Sequence, residues 1–380
     1  METPFVFGKI ASEANFTNRK DELNRLVNNF QSGINTILIS PRRWGKSSLV
    51  GRASEKATKT NKSLRFVFVD LFNVRTEEQF YELLAQEAML VLSSKFEEIV
   101  DYSRKFLGRM IPKLSFSPTP ESSFTLGLDY KEVKKQPEEI LNLVEKIAQE
   151  KNWKIVVCID EFQNIAGFDN PLAFQKKLRA NWQKHQHVSY CLYGSKQHMM
   201  IEVFSSYSMP FYKFGDIIFL KKIHEKDMIP FICKRFQDTG KSISKEDSKT
   251  ITTLTECHPY YVQQVSQQVW FRTEKYCSNE IVRDAFEGVV NQLAMLFQSI
   301  VDSLTNTQIN FLHALVNNVE RFSAKSVLIE YDLGTSANIL RIKKSLVQKE
   351  IIDILGDRID FIDPLFKYWI KKYYFKIRAQ

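Results

Sequence analysis

Residues 37–50 read Ile37-Leu38-Ile39-Ser40-Pro41-Arg42-Arg43-Trp44-Gly45-Lys46-Ser47-Ser48-Leu49-Val50. An apolar run ends in a short polar turn, and Gly-Lys-Ser opens a helical pattern. Strand, anion-wrapping loop and helix N-terminus follow in the order of a phosphate-binding loop. The pattern G-x-x-x-x-G-K-[ST] has glycine where this chain has Ser40. Pro41 holds Ser40 in the extended region, and serine is small enough for close approach. Gly-Lys-Ser alone is a weak signal, so the rest of the chain must support it.

Support comes from Ile155-Val156-Val157-Cys158-Ile159-Asp160-Glu161. A buried strand delivers two carboxylates at its C-terminal edge, where open α/β sheets bind ligands. In that setting Asp160, with the Ser47 hydroxyl, is expected to hold Mg²⁺. Glu161 is expected to polarise the water that attacks the γ-phosphate of ATP. Lys46 is expected to reach the β- and γ-phosphates while backbone N–H groups of Trp44 to Ser47 surround the anion. The plain alternatives are an acidic pair ending a strand and a solvated lysine; the two motifs in one chain favour the nucleotide site. Arg42 and Arg43 read as solvated loop arginines that could also touch phosphate. Tyr193-Gly194-Ser195 ends a further strand, expected beside the acidic one, so Ser195 is either a γ-phosphate or water contact or an ordinary turn serine. His258-Pro259-Tyr260-Tyr261 begins a helix with proline near its first turn.

Outward from these motifs, 380 residues are too many for one ordinary core and imply two or three domains. Hydrophobic content of 44% and aromatic content of 13% exclude a disordered chain. A net charge of +9 admits nucleic acid, nucleotide or acidic protein partners without selecting one. The five cysteines have no C-x-x-C spacing, which speaks for a reducing compartment and against structural zinc; Cys158 and Cys191 lie in apolar runs and read as small buried side chains. The N-terminus does not resemble a signal peptide and no apolar run nears the ~20 residues of a membrane span. The expected location is the cytoplasm, with no membrane partner.

Hydrophobic periodicity predicts an α/β core over residues 1–222. Asn18 reads as the cap of a helix ending at Gly33, and strands are expected at 34–39, 64–71, 154–159, 188–193 and 216–220. One helical stretch is expected from Thr76 to about Tyr102. Residues 108–130, with three prolines among alternating Phe and Leu, read as an inserted hairpin or loose flap. Strands alternating with helices imply a parallel five-stranded sheet covered on both faces. A helical subdomain is expected over 223–298. Over 299–380, helices at 307–316, 324–331 and 336–349 precede strands 351–355 and 358–362 around a Gly356-Asp357 turn, a winged helix-turn-helix pattern.

Together these features resemble the AAA+-like archaeal-type P-loop ATPases related to the STAND class, over nearly the whole length. Phe16-Thr17-Asn18-Arg19-Lys20-Asp21-Glu22-Leu23 is similar to their N-terminal box, residues 41–49 to their phosphate loop, Ile159-Asp160-Glu161-Phe162-Gln163 to their acidic motif, and Tyr193-Gly194-Ser195 to their strand-four sensor. Phe361-Ile362-Asp363-Pro364-Leu365-Phe366-Lys367-Tyr368-Trp369 resembles their C-terminus. The resemblance implies a nucleotide site formed by Pro41, Arg42, Arg43, Trp44, Gly45, Lys46, Ser47 and Ser48, with Pro259 near the adenine, and catalysis by Lys46, Glu161 and Ser195. Besides Ser40, the chain departs from the family at Lys213, where relatives often carry arginine after a tyrosine; lysine cannot form an arginine finger's bidentate contact.

In the last predicted helix, Ile339, Ile342 and Leu346 would face the core, leaving Asn338, Arg341, Lys344, Ser345 and Gln348 to meet a DNA groove or to form a solvated packing face. The function expected is an ATP- and Mg²⁺-dependent switch with slow hydrolysis. The alternatives are a DNA-binding regulator acting on duplex DNA through the winged helix, and an adaptor recruiting a protein effector. Nucleotide-dependent homo-oligomers fit each of them.

Overall fold

The computed structural model describes residues 3–9, 19–93, 95–107, 113–116, 124–127, 130–355 and 358–377. Phe16 to Asn18, most of 108–130, and Gly356-Asp357 lie outside the described residues. Contacts divide the chain into two compact units: Arg19–Lys221, and Met1–Asn18 with Lys222–Gln380.

In the first unit the order is α1 (Lys20–Ser32), β1 (Thr36–Ile39), α2 (Lys46–Thr60), β2 (Leu64–Asp70), α3 (Glu77–Leu92), α4 (Phe96–Leu107), β3 (Lys113–Phe116), β4 (Phe124–Gly127), α5 (Tyr130–Lys135), α6 (Pro137–Leu141), α7 (Leu143–Lys151), β5 (Lys154–Asp160), α8 (Pro171–Trp182), β6 (Val188–Gly194), α9 (Gln197–Ser205) and β7 (Asp216–Phe219). Five strands form one sheet in the order β2-β5-β6-β1-β7, and every pairing is parallel. β3 and β4 form a separate antiparallel pair. The run Ile155 to Ile159 is wholly buried, as a strand covered on both faces requires. One face packs Ile37, Val67, Val157 and Leu192 into a core with Phe80, Phe162, Phe174 and Trp182. Cys158 and Cys191 are register partners on adjacent strands and fully buried.

Gly33 ends α1 with φ 70°, a left-handed conformation that glycine adopts without strain. The single helix expected from Thr76 to Tyr102 is instead two. Ser93 is extended at φ −158°, and its hydroxyl accepts the Lys95 N–H at 3.0 Å. That local bond replaces the helical one and breaks the run.

The second unit contains α10 (Glu225–Gln237), α11 (Lys245–Leu254), α12 (Pro259–Arg272), α13 (Asn279–Gln292), α14 (Ala294–Asp302), α15 (Asn306–Val316), α16 (Lys325–Glu330), α17 (Ser336–Gln348), the antiparallel pair β8 (Ile352–Leu355) and β9 (Arg358–Phe361), and α18 (Pro364–Trp369), extended by a wider turn over Ile370–Tyr374. These elements share one core, from Phe236, Val265 and Phe286 to Phe311, Leu346 and Phe366, and Phe5 is buried in it. On α17, Ile339, Ile342 and Leu346 are buried as their spacing predicts. Two of the five side chains expected to be free are not. Asn338 Nδ2 donates to the Leu333 carbonyl at 3.0 Å, and Ser345 Oγ accepts from Gln308 Nε2 at 2.9 Å. Both are short polar groups beside a neighbouring segment that offers a partner, a fact periodicity does not carry. Among the described residues no helix is long and apolar enough to cross a membrane.

Candidate nucleotide site

β6 lies between β1 and β5, with Ile39 opposite Gly194 and Ile159 opposite Leu192. The segments leaving β1, β5 and β6 therefore emerge at the same edge of the sheet. Ser40, Glu161 and Ser195, far apart in sequence, begin those segments.

The loop after β1 reaches α2 through Gly45, whose φ of 88° suits glycine. The N-terminus of α2 has no side-chain cap and no acidic residue in its first turn. Its N–H groups and positive dipole end thus keep their affinity for an anion. Lys46 is 6% exposed, and its Nζ donates to the Pro41 carbonyl at 3.4 Å, a long bond across the loop. Arg42 and Arg43 are exposed. Arg42 Nε nonetheless donates to Ser195 Oγ at 3.4 Å, joining this loop to β6.

Ser47 Oγ donates to Asp160 Oδ2 at 2.7 Å. Asp160 Oδ1 accepts the Glu161 N–H at 2.8 Å. Glu161 has a φ of 50°, left-handed and uncommon for this residue type. Its Oε2 accepts from Ser195 Oγ at 2.8 Å, from the Ser195 N–H at 3.3 Å, and from Gln163 Nε2. Lys46, Ser47, Asp160, Glu161, Ser195 and Arg42 thus form one cluster.

The two carboxyls differ. Burial pushes the Asp160 carboxyl above its ordinary range, outweighing the opposing Ser47 bond and Lys46 charge. Burial also acts to raise Glu161, but hydrogen bonds from Gln163 and Ser195, with the Lys46 charge, hold it below the ordinary range. Glu161 is therefore ionised at neutral pH, as a group that orients or accepts from water must be.

The donors fit Mg²⁺ and a polyphosphate. A hydroxyl and a carboxylate 2.7 Å apart are hard oxygen ligands. Among the described residues no group of three or more His, Cys, Asp or Glu could hold a metal alone. An ion at Ser47 and Asp160 would take further oxygens from water and phosphate, the ordinary habit of Mg²⁺.

Three contributors were not among the expected site residues. Gln163 is 1% exposed and bonds Glu161, while its Oε1 has no hydrogen-bond partner among the described residues. Gly194 makes room for it: a Cβ there would stand 1.8 Å from Gln163 Oε1. Arg19, 5% exposed, donates to the Lys221 carbonyl at 2.7 Å and to the Trp44 carbonyl in the loop at 3.2 Å. Glycine in Tyr193-Gly194-Ser195 was the one sequence signal for close packing; Arg19 was marked only as a member of the N-terminal box, with no role attached. Lys213 is exposed and left-handed at φ 53°, with Nζ 5.4 Å from the Tyr212 ring. Pro259 belongs to the second unit, where it opens α12 behind the buried His258.

The family model described as an ATPase domain predominantly from Archaea matches residues 16–265, about two thirds of the chain. The chain belongs to that family. This ATPase is similar in fold to a Walker-type ATPase of Pyrococcus abyssi, with TM-score 0.65 and 13% identity over 94% of this chain and 97% of the other. The ORC2 protein of Aeropyrum pernix, in ADPNP–ADP complexes, matches with TM-score 0.56 and 14% identity over 95% and 94%. The ORC1 protein of the same organism, in complex with DNA, matches with TM-score 0.50 and 10% identity over 95% and 94%. At such identities the likeness shows the fold, which is the AAA+ type. No curated protein matches the ATPase in sequence.

Proposed function

We propose that the protein is an ATP-dependent molecular switch whose hydrolytic site is the cluster at the sheet edge. The α2 N-terminus and the loop from Pro41 to Ser48 would hold the phosphates, with Lys46 against the β- and γ-groups. Ser47 and Asp160 would hold Mg²⁺, which would supply positive charge to neutralise the phosphate oxygens. Glu161, ionised and aimed by Ser195 and Gln163, orients the attacking water and accepts its proton. The observation that carries this reading is the 2.7 Å bond from Ser47 to Asp160, beside a carboxylate kept ionised in a half-buried setting.

Turnover in this reading is slow, because Lys213 offers a point charge where relatives often place a guanidinium fork. The conformational output is assigned to the helical part over 223–298 and the winged helix over 299–380, with nucleotide-dependent self-association as a further consequence. A protein effector is favoured over duplex DNA as partner. Asn338 and Ser345 of α17 are engaged internally, and Leu340, 72% exposed, stands on its outer face. The DNA reading retains the exposed Arg341 and Lys344 and the fold likeness to an ORC1 protein solved with DNA.

The deciding measurement is phosphate release with ATP and Mg²⁺, alone and with duplex DNA. Release that survives in both Lys46→Ala and Glu161→Gln overturns the site assignment. Release stimulated by duplex, with steep salt dependence, overturns the preference for a protein partner.

A further inference from the structure

The second unit contains a cavity of about 540 Å³ unrelated to the phosphate loop, between α11, α13 and the segment after α18. This size lies inside the range of about 300–1,000 Å³ that small-molecule sites occupy. Its apolar lining comes from Leu254, Phe286 and Ile377, of which Phe286 is 1% exposed. Its charged lining is unbalanced. Glu287 is the acidic member, and it is already engaged: it accepts from Lys372 Nζ and from the Tyr368 and Tyr373 hydroxyls. Two cations are left over. Arg283 spends Nε on Asn279 Oδ1 at 2.8 Å, and its terminal nitrogens have no hydrogen bond or ion pair among the described residues. Lys376, left-handed at φ 54°, likewise has no side-chain partner among the described residues.

We infer that this cavity binds a small phosphomonoester carrying an apolar or aromatic body. Two uncompensated cations match a dianion, and a guanidinium whose Nη1–Nη2 edge is unused suits the paired oxygens of phosphate. Phe286, Leu254 and Ile377 would cover the body, and neither half of such a ligand would satisfy the site alone. A ligand there touches α13 and the chain's last turn at once, so it would tie the C-terminal segment to the helical part. This inference is independent of the nucleotide reading, since no cavity residue belongs to the phosphate loop.

The test is calorimetric titration of the full chain carrying Lys46→Ala, which silences the loop, with 1-naphthyl phosphate as probe and 1-naphthol and inorganic phosphate as its separated halves. The expected result is saturable binding of the ester, with each half weaker by about tenfold or more. Arg283→Gln and Lys376→Gln, both exposed and compatible with folding, should each weaken the ester by about tenfold. Absent binding, equal binding of inorganic phosphate, or binding that ignores both substitutions would each overturn the inference. Binding lost on restoring Lys46 would also do so.

Discussion

The Ser195 hydroxyl donates to the Glu161 carboxylate at 2.8 Å, across two segments that leave adjacent strands. The bond supports a half-buried negative charge at the point where the proposed hydrolysis would require one. Ser195→Ala removes one charge-assisted hydrogen bond, of the order of 1.5–3 kcal/mol. The Glu161 carboxyl should then titrate higher and be aimed less well. Phosphate-release kinetics should show kcat reduced roughly tenfold with KM for ATP nearly constant. A change confined to KM would mean that Ser195 contacts substrate instead.

The loop and acidic substitutions should separate binding from chemistry. Lys46→Ala is expected to abolish nucleotide binding in calorimetry. Glu161→Gln should bind ATP almost normally while phosphate release falls by about a hundredfold or more. Asp160→Asn should raise the Mg²⁺ concentration needed for half-maximal rate, because it would remove a charged oxygen ligand of the proposed ion.

Gly194→Ala places a methyl group where Gln163 Oε1 now lies, at 1.8 Å. The obstructing atom ends a flexible side chain, so the fold should persist with Gln163 turned away from Glu161. Activity should then fall about as far as in Gln163→Ala, and the double variant should fall no further. Additive losses in that double-mutant cycle would disprove a shared cause.

Arg19 links the loop carbonyl of Trp44 to the carbonyl of Lys221 just beyond β7. Truncation leaves two carbonyls without this donor, at about 1–3 kcal/mol for each one kept from water. Arg19→Ala should lower the midpoint of chemical denaturation and raise KM for ATP together. Arg19→Lys, with one ammonium in place of the fork, should recover only part of both.

Glu145 provides a pH test remote from the site. Burial acts to raise its carboxyl, but bonds from His187, the Gln186 N–H and the His187 N–H bring the folded value below the ordinary one. A depressed folded value gives stability that is fully present above the unfolded value, near pH 4.3, and is lost as pH falls through the folded value. Denaturation followed from pH 7 to about pH 3 should show a loss that is smaller in Glu145→Gln, and an identical slope in both proteins would refute this.

Local chemistry made much of the architecture legible. Apolar runs such as 155–159 read as strands because a short run rich in β-branched residues, covered on both faces of a sheet, buries every residue. Gly33 ends α1 and Gly45 begins α2 because both positions need positive φ. Lys46, Ser47, Asp160 and Glu161 could be singled out because phosphate and Mg²⁺ chemistry demands those groups after those strands. The break at Ser93 was not legible, since a side-chain bond competed there with an otherwise continuous helical period. Asn338 and Ser345 looked free because periodicity reports which face a residue occupies and says nothing of what stands opposite.

The sequence by itself determined the phosphate loop, the acidic strand end and the alternation that builds a parallel sheet, all carried by residues near in the chain. That β6 lies beside β5 was expected from the chain; the tertiary structure alone decided that its other neighbour is β1 and fixed the register. That placement brings Ser195 onto the Glu161 oxygen that Gln163, two residues along the chain, already bonds, and packs Gln163 where Gly194 lacks a side chain. Gly194 and Ser195 reach Glu161 and Gln163 from a segment joined to β5 by a long crossover, and only strand order and register set those distances. A linear pattern records which groups are available; the folded sheet decides which of them share a proton, a charge or a ligand.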